Sequence, residues 1–425
     1  MIAPYSKNSR RNTMKKTLLL SVAASAVVMA GGNISPVVAQ ASGWDFSGTA
    51  KAMYQTDDYG LSGNLWGADD DITGSVFGKD SSGANAGVQL RATNANVWNG
   101  VGAGIEVSAL ATLGLENYLV NSSLQVADYY NEGNTGGWLS QAYLTYNVGN
   151  TMIKAGRQEL PKSLSPMAFS EDWNVFKNTF DAVVLVNSDI KDTTAVLAYV
   201  DRSNFNGLTG IYYTSMNDFY DINHNDKGAY MLTLQNKSIE NVTLTGSYYM
   251  LRDQVNIAWL DAQVNMGNYN LAGQYATYDM DNGSGLNYAT YGVKAATTVS
   301  GFDVSAAYTQ SEDGMSWHQT SGTTSSSYTC TPLNQLVGGF DDENKYLVTA
   351  STAAMNGTLV GMYSKSDTGD FGTTTELDVV YSTKVADIDL SAAYVHAAND
   401  DEAIPGTDGE QETINLVRVT ATYNF

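Results

Sequence analysis

The chain has 425 residues, with 22 Lys and Arg against 44 Asp and Glu and a formal net charge of −22. So acidic a chain excludes nucleic acid as a partner, because phosphates demand a basic face. One cysteine, Cys330, excludes a disulfide framework, and 27 tyrosines and 40 glycines beside only 6 prolines, with no long apolar helix, are the composition of a membrane barrel.

The first element in the chain is an export leader. Met14-Lys15-Lys16-Thr17 is a short basic opening, Leu18 to Ala30 is apolar, and Ala39-Gln40-Ala41 is a cleavage site. The apolar run falls short of the roughly 20 residues a spanning helix needs. Residues 1–41 are therefore expected to be a removed signal peptide, with Met14 as the alternative true start, and 42–425 a single domain. Removal takes Lys7, Arg10, Arg11, Lys15 and Lys16, leaving 17 cations against 44 acids, a net charge of about −27.

Beyond the leader, stretches of about ten residues alternate in polarity, the signature of a strand with one apolar and one polar face. In the first, Trp44, Phe46, Ala50, Ala52 and Tyr54 alternate with Ser47, Thr49, Lys51 and Gln55. In the last, Val417, Val419, Ala421, Tyr423 and Phe425 alternate with Arg418, Thr420, Thr422 and Asn424. Eighteen such strands are predicted, at 44–56, 84–95, 101–113, 138–148, 151–160, 179–188, 192–202, 228–237, 241–252, 255–265, 268–279, 286–298, 301–311, 343–353, 356–365, 372–384, 387–397 and 412–424. Joints such as Gly149-Asn150, Val299-Ser300 and Ala354-Met355 are short, whereas 57–83, 114–137, 161–178, 203–227, 312–342 and 398–411 are long.

That sorting of connections predicts an all-β fold, a transmembrane antiparallel β-barrel of about 18 strands with short periplasmic turns and long extracellular loops. In lipid every backbone N–H and C=O must pair internally, so a sheet without a helix to complete it must close. Eighteen strands enclose an aqueous lumen, whereas eight would be filled by side chains. The expected location is the outer membrane of a Gram-negative bacterium, among lipid and lipopolysaccharide. The expected role is a water-filled channel for passive diffusion of small hydrophilic solutes and ions.

The polar face of the alternation places Lys51, Arg91 and Arg418 inward on the three strands that meet at closure. They are expected to form a basic wall, with Lys294 a further inward cation and Arg157 a candidate to reach the lumen. An alternative for each is a pairing with an inward acid such as Glu106, Asp261, Glu376 or Asp378. The loop 161–178 combines acids with apolar anchors, in Glu171, Asp172, Trp173 and Phe176. It is expected to fold inward, narrow the pore and set acids across from the basic wall, as charged rings do in selective channels.

Asp69-Asp70-Asp71 and Asp400-Asp401-Glu402 read as solvated surface charge rather than a metal site. His224, His318 and His396 sit in no Ser–His or metal-ligating constellation, so no catalysis, metal or cofactor is expected. Cys330 reads as an incidental free thiol. The final Tyr423 and Phe425 resemble the signal read by the barrel assembly machinery.

The stretch from Lys154 to Asn204 is similar to the OprD-type porins and the major outer membrane protein of epsilon-proteobacteria. The likeness rests on Gly156-Arg157-Gln158 at a strand end, a third loop containing Pro161 and Pro166, and the strand opening Asn178-Thr179-Phe180-Asp181-Ala182. The resemblance implies an eighteen-stranded porin, loop 3 inside the pore, assembly as homotrimers, and traffic in cations and small nutrients. Relatives of that type often prefer basic amino acids or carboxylates by means of a basic ladder. Only three or four ladder positions are present here, which favours a general, mildly cation-preferring pore. A substrate-specific channel for amino acids or carboxylates and a structural or adhesive surface barrel are the alternatives.

Overall fold

A strand that alternates in polarity has an apolar face to bury and a row of backbone groups to pair on either side. A computed structural model describes residues 43–58, 75–127, 135–172, 174–204, 215–222, 227–281, 287–312, 325–331, 343–367, 372–399 and 413–425. The strands are β1 (Asp45–Asp57), β2 (Ser82–Trp98), β3 (Val101–Ala111), β4 (Thr135–Val148), β5 (Thr151–Gln158) and β6 (Phe180–Asn187). Next come β7 (Thr193–Ser203), β8 (Ala229–Asn236), β9 (Val242–Leu251), β10 (Val255–Met266), β11 (Tyr269–Met280) and β12 (Asn287–Val299). The last six are β13 (Phe302–Ser311), β14 (Asn344–Ala354), β15 (Gly357–Asp367), β16 (Thr373–Val385), β17 (Ile388–Asn399) and β18 (Thr413–Asn424).

Each strand pairs antiparallel with the next, and β18 pairs with β1, so the eighteen strands close into a barrel. All eighteen coincide with those predicted. A two-residue strand at Tyr220–Asp221 is added beside Arg202 and Ser203 of β7, in a segment the alternation left as loop. The leader (1–41), Asp69–Asp71, Asp400–Glu402, His224 and His318 lie outside the described residues.

The short connections are set by local chemistry. Trp98 faces Val101, Val299 faces Phe302 and Ala354 faces Gly357 across two-residue turns. In each turn both central residues have positive φ: Asn99 and Gly100, Ser300 and Gly301, Met355 and Asn356. That is the type I′ geometry, whose twist matches that of the flanking strands. The turns gather at one end of the barrel together with both ends of the sheet, and the long connections gather at the other.

Outward faces expose Val, Leu and Tyr side chains such as Leu90, Val107, Leu232, Tyr291 and Val348. Many inward faces are polar, with Thr233 and Ser247, or Ser305 and Thr349, bonded across neighbouring strands. One departure from alternation stands out at β6. Phe180, Ala182, Val184 and Val186 are all buried on its inner side while Val183 is exposed on its outer side. A strand apolar on both faces needs cover on both, and the inner cover comes from the loop that precedes it.

Closure is completed by Phe425, whose N–H donates to the Gly48 carbonyl at 2.9 Å while Gly48 N–H donates to the Phe425 carbonyl at 2.7 Å. The Phe425 ring occupies the space a Gly48 side chain would take and stacks on Tyr423 at 5.7 Å between centroids. Gly48→Val is expected to overpack this seam at a cost of about 1–3 kcal/mol. The check is a lowered urea midpoint for unfolding of the lipid-reconstituted protein, with Gly361→Val, which has open space around it, as the comparison.

Candidate constriction of the lumen

Loop 3, residues 159–179, leaves β5 and returns to β6 along the inside of the wall. Its apolar residues explain the path. Leu160, Leu164, Met167 and Ala168 join one buried cluster with the inner faces of β6–β11, including Val184, Val196, Tyr249 and Trp259. Met167 N–H donates to the Tyr249 hydroxyl at 3.2 Å. Further along, Val175 and Phe176 join a second cluster with Met53, Leu110 and Trp138 of β1, β3 and β4. Phe176 lies 6.1 Å from the Trp138 ring and fills the notch beside Gly87, where a Cβ would collide with it.

Polar contacts fix the same segment. Lys51 Nζ donates to the Asn174 carbonyl at 3.0 Å and stands 3.6 Å from Asp172 Oδ1. Asn174 Nδ2 donates to the Leu124 carbonyl at 3.0 Å, and Gln125 Nε2 to the Phe176 carbonyl at 2.8 Å. Residues 124–126, in the connection between β3 and β4, are thereby drawn into the lumen, and Met216 N–H adds to this by donating to the Val126 carbonyl at 2.8 Å.

The predicted wall residues take distinct places. Lys51, opposite Gly87, and Arg418, opposite Gln55, lie inward on β1 and β18. Arg418 Nε donates to Gln55 Oε1 at 2.7 Å. Arg91 lies inward on β2, opposite Glu106 of β3. Its guanidinium is 2.5 Å from Glu106 Oε2 and 3.6 Å from Glu159 Oε1, and Lys177 Nζ is 3.4 Å from Glu159 Oε2. Lys51 and Arg91 thus touch acids directly: Asp172 sits on Lys51 rather than across a gap from it. Glu171 is fully buried, its N–H held by Asn178 Oδ1 at 2.8 Å, and Trp173 lies outside the described residues.

Lys294 lies inward on β12 between Ala272 and Ala307, remote from the closure seam. Arg157 does not join the wall. It faces Asp181 in the ladder, on the outward side shared with Val183. There it bonds Asp181 at 2.8 and 3.1 Å and stacks 3.3 Å from the Phe219 ring centroid, and Arg202 reaches the same Asp181 at 2.9 Å. The phase of Ile153 and Ala155, which share its parity, already pointed this way.

A second inner lining was not anticipated. Residues 325–331, from the long connection between β13 and β14, lie against the inner faces of β10–β16. Tyr328 OH donates to Asp261 at 2.5 Å, and Tyr328 packs on a buried cluster of Ala307, Leu347, Val360, Met362 and Val380. Thr331 donates to Glu376 at 2.7 Å and accepts from Lys345 Nζ at 2.8 Å. The two linings meet: Lys162 Nζ donates to the Ser325 carbonyl at 2.6 Å, and Ser326 Oγ to the Pro166 carbonyl at 2.6 Å. Burial holds the Lys162 ammonium below its ordinary pKa, and the same effect raises the Cys330 thiol.

Lys154, Glu159, Lys177 and Lys345 were also missed. Lys154 sits 3.8 Å over the Tyr143 ring. Alternation carries the signal for Lys154 and Lys345, each flanked by outward apolar residues (Ile153, Tyr346). Nothing in the pattern announced Glu159, at the end of the predicted strand 151–160, or Lys177 in the loop 161–178.

No family model matches the sequence, and no curated protein matches it. Solved structures are similar in fold. OccAB3 of Acinetobacter baumannii superimposes with a TM-score of 0.69 at 16% identity, over 90% of this chain and 99% of its own. OccK8 (OprE) of Pseudomonas aeruginosa gives 0.66 at 15% identity, over 90% and 98%. The outer membrane protein opdK of the same organism gives 0.66 at 13% identity, over 90% and 99%. The chain has the eighteen-stranded fold of these barrels.

Glu106 is 2% exposed and also accepts from Ser140 at 2.8 Å. Arg91→Met strands that buried carboxylate and is expected to cost about 3 kcal/mol. Adding Glu106→Gln to it should recover most of the loss, read as a double-mutant cycle from urea unfolding in lipid.

Proposed function

We propose that the chain is an outer-membrane porin, a passive channel for small hydrophilic solutes whose conducting path is narrowed by loop 3. One observation carries the reading: in a closed barrel wide enough for water, Asp172, Asn174 and Phe176 are tied to the inner wall through Lys51, Gly87 and Trp138. The turn end would be periplasmic and the loop end extracellular, as in outer-membrane barrels. The likeness to OccAB3, OccK8 and the outer membrane protein opdK supports this reading.

The segment 325–331 favours a second reading, a narrower and more solute-selective channel. It lines the lumen beside loop 3 with hydroxyls, Tyr328 and the Lys345–Thr331–Glu376 chain. A plugged adhesive barrel has no comparable support.

Single-channel recording in planar bilayers tests these readings. Ohmic steps with weak cation preference are expected of the general porin. Small steps blocked by one solute class would mark the selective channel, and a silent bilayer would sink both. Asp172→Asn leaves Lys51 uncompensated and should move the cation-to-anion permeability ratio toward anions, by about twofold. Lys51→Met should move it the other way, since the sign of lining charge sets selectivity. Equal reversal potentials in all three proteins would place the conducting path elsewhere.

A further inference from the structure

The outer wall is grooved on β6–β9. Val183, Tyr199, Tyr230 and Met250 stand in one outward row across these strands, with Leu197 and Leu232 in the row beneath, nearer the short turns. Tyr199 and Tyr230 tilt together at 5.1 Å between centroids. The space bordered by these side chains is about 340 Å³.

The groove leads up to a charged rim at the loop end. Strict alternation would send Arg202 inward, opposite in face to Asp201. A bulge prevents it: Ala182 faces Val200 but Asp181 faces Arg202, so Asp201 is an extra residue and Arg202 turns outward. Arg202 is held there by Asp181 at 2.9 Å and Asp201 at 3.5 Å, and Arg157 grips the other side of Asp181 at 2.8 Å. On the far side of the groove Arg252 donates to the Tyr230 hydroxyl at 3.4 Å and lies 5.0 Å from its ring centroid.

We infer that this sector binds one acylated, phosphate-bearing lipid of the outer leaflet. An acyl chain lies in the groove, and the headgroup phosphate is held by Arg202 and Arg252. The inference rests on reading the barrel as membrane-embedded with its loop end outward.

Charge selects the headgroup. The rim sets Arg157, Arg202, Arg252 and Lys227 against Asp181, Asp201, Asp221 and Asp253, an even balance in a chain with 44 acids for 22 bases. An anionic headgroup meets less repulsion here than over the rest of so acidic a protein. On the other strands, among the described residues, outward positions near the loop end are mostly neutral, such as Gln310, Asn344, Thr375 and Asn415, with Lys365 the other outward cation. A guanidinium presents forked donors that match phosphate oxygens, and basic pockets on membrane walls bind lipid headgroups.

Shape selects the chain. From the Leu197 row to the rim is about 13 Å of strand, which places the arginines at headgroup depth beside the half-exposed rings of Tyr230 and Tyr248. An acyl chain is equally apolar in the groove and among other lipids, so the groove contributes close packing and the arginines contribute the preference.

The test is native mass spectrometry of the full-length protein in mild detergent. It is titrated with lipid A, an acylated and phosphorylated glucosamine disaccharide, or with the dephosphorylated form. One lipid A per chain should be retained, and the dephosphorylated form about tenfold more weakly, since charge-assisted hydrogen bonds are lost. Arg202→Gln with Arg252→Gln should weaken retention of lipid A by about the same tenfold factor. Leu197→Trp with Leu232→Trp fills the groove and should weaken both forms. Lys365→Gln, on the outer face of β15, should leave retention unchanged. Resistance to urea and unit conductance in bilayers verify that each variant folds. Conductance also tests the channel reading separately, because a conducting protein that retains no lipid sinks the lipid site alone. Equal retention of the two lipid forms would overturn the inference. So would arginine variants that bind as the wild type does, a control that weakens equally, full displacement of the lipid by equimolar inorganic phosphate, or a protein found on this face in place of lipid.

Discussion

A sheet in hydrocarbon cannot leave an edge, because each unpaired N–H or C=O there costs several kcal/mol. The ladder between β1 and β18, finished by Gly48 and Phe425, removes the last two edges. Everything else follows from that closure. It forces the alternation of faces, sends the short turns to one end and the long connections to the other, and creates an interior that has to be filled or wetted.

The interior is where this barrel spends its irregular sequence. Apolar inner patches on β6–β9 and on β13–β16 would face water if the lumen were bare. Loop 3 covers the first with Leu160, Leu164 and Met167, and the 325–331 segment covers the second through Tyr328. Lys162 and Ser326 then join the two covers to each other. The position of the loops in the lumen is thus a packing consequence as much as an electrostatic one. The charged contacts at Lys51 and Arg91 set orientation within a site already chosen by apolar burial.

The wall inferred from alternation was legible because a period of two assigns every strand residue to a face. Lys51, Arg91 and Arg418 are inward for that reason alone. The same logic applied to β5 puts Arg157 outward with Ile153, and applied to β6 it fails. The run Ala182-Val183-Val184-Leu185-Val186 has no polar face, which signals that both sides are covered without saying by what.

Local pattern therefore determined the strands, their number, the turns and the direction of most strand side chains, since these depend on neighbours two residues away or on two-residue turns. Tertiary structure decided which distant loop meets which inner patch, that Asp172 rests on Lys51 instead of facing it across water, and that residues 325–331 line the lumen at all. Such contacts join positions more than a hundred residues apart, as Lys51 and Asn174 or Lys162 and Ser325 do. Only closure of the barrel brings them within reach, so no periodicity along the chain records them.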